Sequence, residues 1–385
     1  MLDFDYQLKT NVLFGKDKIN ELPRILEIYG KKVLLVYGGQ SIKKNGLYDQ
    51  VRSLLKDFEV FELSGIQANP KIDSVNQGVA ICQKENIDVI LAVGGGSVLD
   101  ASKAIGIGNY YQGDAWDLMS GKVQPTNCLP LVGISTLAAS GTETGMGAVI
   151  SNLQTNEKLG IDYEKMYYRH IIMDPTYTMT VPQSHTSAGI ADIFSHLLEQ
   201  YITSDYSLLS KNLCEAVMKT VIHYAPIVLE NPNDYEARAQ IMWAATLANN
   251  GILSLGNQFS GWACHAIEHE LSALYDISHG VGLAIITPAW MEYVLNEQTI
   301  SQFARYGKEV FGIVGNDDEI AKESIKCTKE FFKSLKLPTS LKEIPIDECN
   351  FKEISQKAVT NGFLQYAFVP LNEEDILNIL NKCKE

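Results

Sequence analysis

Two pairs of side chains at helical spacing can gather around one ion: Asp192 with His196, and His265 with His269. Residues four apart stack on one face of an α-helix, so each pair can converge on a common point. His279, in Ser278-His279-Gly280, follows the second pair and is expected just past the end of its helix. Imidazole and carboxylate together suit Fe(II), Zn(II) or another divalent transition metal. Such a centre would polarise an oxygen or activate water. Spacing alone leaves two accounts open. Over 190–201 the apolar stripe is Ile190, Ile193, Phe194, Leu197, Leu198 and Tyr201, with Asp192, His196 and Glu199 opposite it. Over 262–274 Ala263, Cys264, Ile267, Leu271 and Leu274 form the stripe, and Trp262, His265 and His269 face away. These polar faces are either solvated or the walls of a site. Concentration favours a site, because the chain has only 7 histidines. His170, His185 and His223 lack a partner at helical spacing and read as structural or surface residues.

The second group with chemistry is a set of small-residue loops. Gly38-Gly39-Gln40-Ser41, Gly94-Gly95-Gly96-Ser97 and the stretch from Thr136 to Glu143 each follow a short β-branched run. Glycines let the backbone approach phosphate oxygens, and a helix N-terminus adds unpaired N–H groups and a positive dipole end. Strand, glycines and helix stand in that order around Gly94–Ser97, although G-x-G-x-x-G is absent. Tight turns would explain one such loop; together the loops favour a phosphate-bearing ligand. The first loop carries no acid before Asp49 to bond a ribose 2′-OH, and Ser41, Lys43 and Lys44 suit a 2′-phosphate.

These loops need elements to hold them. Runs at 33–37, 87–93 and 129–135 have the length and composition of buried parallel strands. Helical patterns at 48–56 and 72–85 alternate with them, which implies βαβ units. Two prolines within 174–182 break the pattern. Beyond them the chain runs in helical period at 187–201, 208–229, 234–250, 262–274, 289–295 and 300–311. We therefore expect a dinucleotide-binding α/β domain over 1–182 and an all-α, metal-binding catalytic domain over 183–385.

The net charge of -14 disfavours nucleic acid and anionic membrane as partners. Seven cysteines without a C-x-x-C pair fit reduced thiols in a cytoplasmic protein. The opening MLDFDYQLKTNVLFG lacks the features of a signal peptide, and no apolar run is long enough to span a bilayer.

The whole chain resembles the iron-containing (group III) alcohol dehydrogenase family. The likeness is carried by Val12-Leu13-Phe14-Gly15, Asn69-Pro70, GGGSVLDASKAI at 94–105, Thr136 with Gly141-Thr142-Glu143, and Lys158. It continues through 174–182, GIADIFSHLLEQY at 189–201, HAIEHELSALYDISHGVGLAI at 265–285 and Pro288. Within the family the NADPH-linked butanol dehydrogenase and aldehyde reductase branch is most similar; Gln40 departs from its more usual small residue. The resemblance implies an N-terminal Rossmann-like domain plus an all-α C-terminal domain, the dehydroquinate synthase-like architecture, with the active site between them. It implies Asp192, His196, His265 and His279 as ligands of one Fe(II) or Zn(II). His269 is implied beside the substrate, where its chemistry suits a proton relay. Gly38, Gly39, Ser41, Asn69, Gly95, Gly96, Ser97, Asp100, Thr136, Thr142 and Lys158 are implied to bind NADP(H), with NAD(H) as the other form.

The expected activity is reduction of small aldehydes such as butanal to primary alcohols by a cytoplasmic homodimer, without nucleic acid or membrane partners. Trp262 is either a pocket wall or a packing residue. Alternatives are a glycerol or diol dehydrogenase of the same family, a dehydroquinate-synthase-like lyase, and a metal-dependent hydrolase. The lyase calls for an extensively basic pocket, whereas the ligand-bearing stretch here is apolar and rich in Gly and Ala. The hydrolase leaves the glycine loops without a purpose.

Overall fold

The computed structural model describes residues 1–203, 206–346 and 350–384. The chain forms two compact units. One comprises Gln7–Val181 and Asn233–Met242; the other comprises Met1–Tyr6, Pro182–Pro232 and the chain from Trp243 onward.

The first unit contains eight strands: β1 (Asn11–Phe14), β2 (Lys32–Tyr37), β3 (Glu59–Leu63), β4 (Val89–Gly94), β5 (Leu131–Ser135), β6 (Gly147–Asn152), β7 (Glu157–Asp162) and β8 (His170–Met173). Its helices are α1 (Leu22–Glu27), α2 (Ser41–Lys44), α3 (Leu47–Leu54), α4 (Ile72–Glu85), α5 (Gly96–Gly108) and α6 (Trp116–Met119). Six strands make one sheet in the order β1-β8-β5-β4-β2-β3, all parallel, and β6 and β7 form a separate antiparallel pair. Side chains alternate faces along a strand. Leu34, Val36, Ile90 and Ala92 therefore pack with Val75 and Val79 of α4 and Leu99 of α5. Val33, Leu35, Val89 and Leu91 pack on the other side with Ile25, Leu26, Leu47 and Val51. Each fully buried aliphatic side chain contributes about 1.5–3 kcal/mol. A sheet covered on both faces explains why these central strands read as unbroken apolar runs.

Helix α9 (Tyr235–Ala248) begins in the first unit and ends in the second. The second unit is otherwise built from α7 (Gln183–Tyr201), α8 (Leu208–Glu230), α10 (Ala263–Tyr275), α11 (His279–Val294), α12 (Ile300–Phe311), α13 (Asp317–Ser334), α14 (Phe351–Asn361) and α15 (Glu373–Lys382), with no strand among its described residues. An α/β part followed by an all-α part is the expected fold class. Helix α11 differs from expectation: it starts at His279, not near 289. Gly280, Gly282 and Pro288 weaken the local helical signal. Burial of nearly every residue from Gly280 to Met291 overrides it. Trp262 is also not helical; it precedes α10 with φ 51, so it does not share a helix face with His265.

No described helix is long and apolar enough to cross a membrane. The six described cysteines are free thiols, and Cys349 lies outside the described residues. Burial pushes Cys82, Cys128, Cys214 and Cys383 up to about 12. Cys264 is buried too, whereas Cys327 is half-exposed. Iodoacetamide at pH 8 should therefore label, among these six, chiefly Cys327 in the native protein, and the others only after unfolding in urea. Peptide mass mapping reads the result; rapid native labelling of Cys82 would contradict the packing.

Candidate metal centre and nucleotide loops

Helices α7, α10 and the start of α11 bring the histidine–aspartate set together. Helix α7 is buried at every position from Thr186 to Tyr201, so its polar face meets protein rather than water. Asp192 is 3% and His196 6% exposed. Asp192 Oδ1 lies 3.1 Å from His196 Nδ1, 3.7 Å from His265 Nε2 and 3.6 Å from His279 Nε2. The His196 and His265 rings stand 4.4 Å apart, and those of His265 and His279 5.2 Å. His269 joins the same cluster, 5.5 Å from the His279 ring. Trp262 sets its ring edge-on to both His196 and His265, at 5.6 and 5.3 Å.

Asp192, His265 and His279 can each offer one ligand atom, all within 4.8 Å of one another. Glu268, His269 and His279 form a second such group. Separations of 3.6–3.7 Å are too long for hydrogen bonds. Among the described residues, Asp192 Oδ1 and His265 Nε2 are buried polar atoms without a hydrogen-bond partner. Leaving such atoms bare costs about 1–3 kcal/mol each, a cost that a cation between them removes. His196 is not among these groups; its Nδ1 lies 2.9 Å from the Asp192 carbonyl oxygen, and its ring stands beside that of His265. The donor set of nitrogens and one carboxylate fits Fe(II) or Zn(II). Burial alone would raise the Asp192 carboxyl, but His196 and His279 hold it well below the usual range. It is therefore an anion at neutral pH.

Glu199, on the polar face of α7, and Glu268, on α10, have no role that their spacing alone would assign. Both are buried. Glu199 Oε1 meets His265 Nδ1, and Glu268 Oε2 meets His279 Nδ1. The signal available was Glu199 at i+3 from His196, and Glu268 at i+3 from His265.

The loops of the first unit follow β2, β4 and β5, which are neighbours in the sheet. Gly38 and Gly39 end the β2 turn, and Ser41 opens α2. Gly95 precedes α5, and Gly96 and Ser97 form its first turn. A Cβ on Gly96 would approach Ser140 Oγ to 2.5 Å, so a side chain there would make the Ser140 hydroxyl turn away from α5. Thr136 donates its backbone N–H to Gly94 O at 3.0 Å. Asp100 is engaged within the protein: it accepts from Thr142 Oγ1 at 2.6 Å and from the Val149 N–H at 3.0 Å. Asn69 and Lys158 are buried. Ser151 donates to Pro70 O and pairs with Lys158 across β6 and β7, which brings both segments to that hairpin.

The structure adds Lys103, which the sequence did not single out. Its Nζ donates to Thr142 O and Oγ1, Gly145 O and Gly147 O at 2.6–2.9 Å. Burial lowers its pKa to about 8 against the pull of Asp100 and Glu143. Lys103→Met strips several buried oxygens of their donor, so it should destabilise the first unit by at least about 2 kcal/mol. Urea unfolding measures this; an unchanged midpoint would show that the loop does not need the lysine.

A parallel sheet with glycine loops at its strand ends, followed by a helical part with a buried histidine–carboxylate cluster, defines a two-part metal- and nucleotide-binding enzyme architecture. Residues 9–175 match the family described as iron-containing alcohol dehydrogenase, and residues 186–383 match the C-terminal part of the Fe-containing alcohol dehydrogenase family. The chain belongs to the iron-containing alcohol dehydrogenase family. It is 47% identical to NADH-dependent butanol dehydrogenase A of Clostridium acetobutylicum, over 99% of this chain and 100% of that protein. It is 34% identical to the NADPH-dependent aldehyde reductase YqhD of Escherichia coli, over 95% of each. The crystal structure of NADH-dependent butanol dehydrogenase A from Thermotoga maritima superposes with a TM-score of 0.96 at 38% identity, covering 100% of this chain and 99% of that one.

Proposed function

We propose that the protein reduces small aldehydes such as butanal to primary alcohols with NAD(P)H at a divalent metal held by Asp192, His196, His265 and His279. The observation that carries this reading is the convergence of Asp192, His265 and His279 around bare buried atoms. The names of the relatives, butanol dehydrogenase and aldehyde reductase, fit that substrate class. A metal there supplies Lewis acidity toward an alcohol or carbonyl oxygen, and the nicotinamide supplies the hydride.

The chain's own residues do the rest. Gly38, Gly39, Ser41, Gly95, Gly96, Ser97, Thr136 and Thr142 offer backbone and hydroxyl donors to the nucleotide, with Asn69 and Lys158 beside them. Asp100 acts through Thr142, whose hydroxyl it holds. We assign NADPH as the preferred form. The Gly38–Ser41 turn has no carboxylate of its own, and Glu62 on the neighbouring strand accepts from the Tyr37 and Tyr48 hydroxyls at 2.8 and 2.9 Å. Relatives named for NADH make the preference a question of degree. His269, half-buried beside His279, passes the proton to the product oxygen. We further assign domains 1–182 and 183–385, a homodimer and a cytoplasmic location, on the family resemblance, the commonness of two-fold oligomers and the thiol pattern.

The test is absorbance of reduced nicotinamide on adding butanal, with NADPH and NADH in parallel and with or without chelator. Chelator-sensitive consumption, faster with NADPH, is expected. No consumption after reconstitution with Fe(II) or Zn(II) would overturn the activity, and faster turnover with NADH would reverse the cofactor assignment. His269→Gln should keep the metal and slow turnover by about 10²–10⁴-fold, with a changed pH–rate profile. Metal loss in that variant would make His269 a ligand.

A further inference from the structure

We infer that Glu199 is a positioning residue that makes the metal centre by fixing the tautomer of His265, and that Glu268 supports His279 in a way that tolerates loss of its charge. The inference rests on the metal centre proposed above.

A carboxylate only accepts hydrogen bonds. Glu199 Oε1 faces His265 Nδ1, and Glu199 Oε2 accepts from the Cys264 backbone N–H at 2.7 Å. His265 therefore carries a proton on Nδ1, which makes Nε2, on the side toward Asp192, the nitrogen through which it would bind a metal. Neither donor on Glu199 can reverse its role without loss: a backbone N–H only donates, and the imidazole can accept at Nδ1 only by moving its proton to Nε2. Glu199 is 2% exposed, so water does not offer a substitute.

Glu268 is arranged differently. Its Oε2 faces His279 Nδ1, but its Oε1 meets the Ser272 hydroxyl. That hydroxyl has a second acceptor, Ile277 O at 3.2 Å. A hydroxyl both donates and accepts.

The two glutamines are thus not equivalent. In Glu199→Gln the amide NH2 must face either the Cys264 N–H, donor against donor, or His265 Nδ1. The second choice moves the imidazole proton to Nε2 and removes the lone pair from the metal position. In Glu268→Gln the carbonyl oxygen still accepts from His279, the NH2 donates to Ser272 Oγ, and the hydroxyl turns to Ile277 O. Both variants lose the same charge, so a purely electrostatic effect would weaken them equally.

The experiment is a Zn²⁺ titration of the full chain against a chromophoric chelator, with Co²⁺ absorption spectra as a second readout and circular dichroism as the check on folding. Glu199→Gln should bind Zn²⁺ about 10–100-fold more weakly than the parent. Its Co²⁺ spectrum should change in intensity as an imidazole leaves the ion. Glu268→Gln should lose only about two- to three-fold, below the roughly 10–100-fold that losing an orienting partner ordinarily costs. Equal losses, or none in Glu199→Gln, would overturn the inference while the metal centre stands. A parent protein that takes up neither Zn²⁺ nor Co²⁺ would overturn the centre itself, and this inference with it. Should Glu199→Gln fail to fold, ¹⁵N-histidine spectra of the Zn²⁺-loaded parent decide the matter. A protonated Nδ1 on His265 is expected, and metal bound through Nδ1 would contradict it.

Discussion

His265→Ala should abolish metal uptake and aldehyde-dependent oxidation of NAD(P)H together, while the far-ultraviolet circular dichroism of the protein stays close to that of the parent. His265 is the middle of the cluster: its ring lies within 5.2 Å of His279 and 4.4 Å of His196, and its Nε2 faces Asp192. Removing it takes away a ligand and also leaves Glu199 with only the Cys264 N–H. An orphaned buried acceptor costs about 1–3 kcal/mol, more when it is charged. The variant should therefore unfold at lower urea than the parent, yet remain folded in buffer, because the helices around it are held by apolar packing. Elemental analysis and a butanal assay decide the outcome. Metal retained at full stoichiometry with wild-type turnover would remove His265 from the centre.

Gly280→Ala should destabilise the second unit, by about 1–3 kcal/mol or more, and weaken metal binding without touching a ligand. In a helix, glycine to alanine ordinarily stabilises by roughly 0.5–1 kcal/mol. Here the sign reverses. A Cβ on Gly280 would overlap the carbonyl oxygen of Ala188, with the Ala188 carbonyl carbon at 2.6 Å. Both are backbone atoms, so no rotamer change relieves the overlap and α11 must move off α7. Ala188 lies one turn before Asp192, and Gly280 adjoins His279. The same displacement therefore lengthens the 3.6 Å approach of His279 to Asp192. Urea midpoints and Zn²⁺ affinity should fall together. Gly39, where an added Cβ meets nothing, is the control for stability. A Gly280→Ala variant as stable as the parent would show that α7 and α11 do not pack this closely.

The elements that could be found in the sequence are those whose burial matches their period. Strands β2, β4 and β5 are apolar on both faces and stand out as continuous runs, and α4 and α12 occur where helical spacing put them. Strands β1 and β3 are at the edges of the sheet, half-exposed and short, and carried too little apolar signal. The first half of α11 was hidden for a different reason. Its glycines read as a loop, but they are there because α7 and Glu268 come too close for a side chain.

The site divides in the same way. Residue type and spacing by themselves determined that the chain holds two i, i+4 pairs with metal-binding chemistry, and glycine loops following strands. They could not determine which way those helix faces point, because a polar face looks the same whether it meets water or another polar face. Only the packing of α7, α10 and α11 decided that Asp192, His265 and His279 share one small volume. It also showed that Glu199 and Glu268 stand behind two of the imidazoles. The physical reason is that hydrophobic periodicity reports how much of a helix is buried against apolar neighbours, whereas a metal centre is a polar burial, defined by partners that lie far apart in sequence.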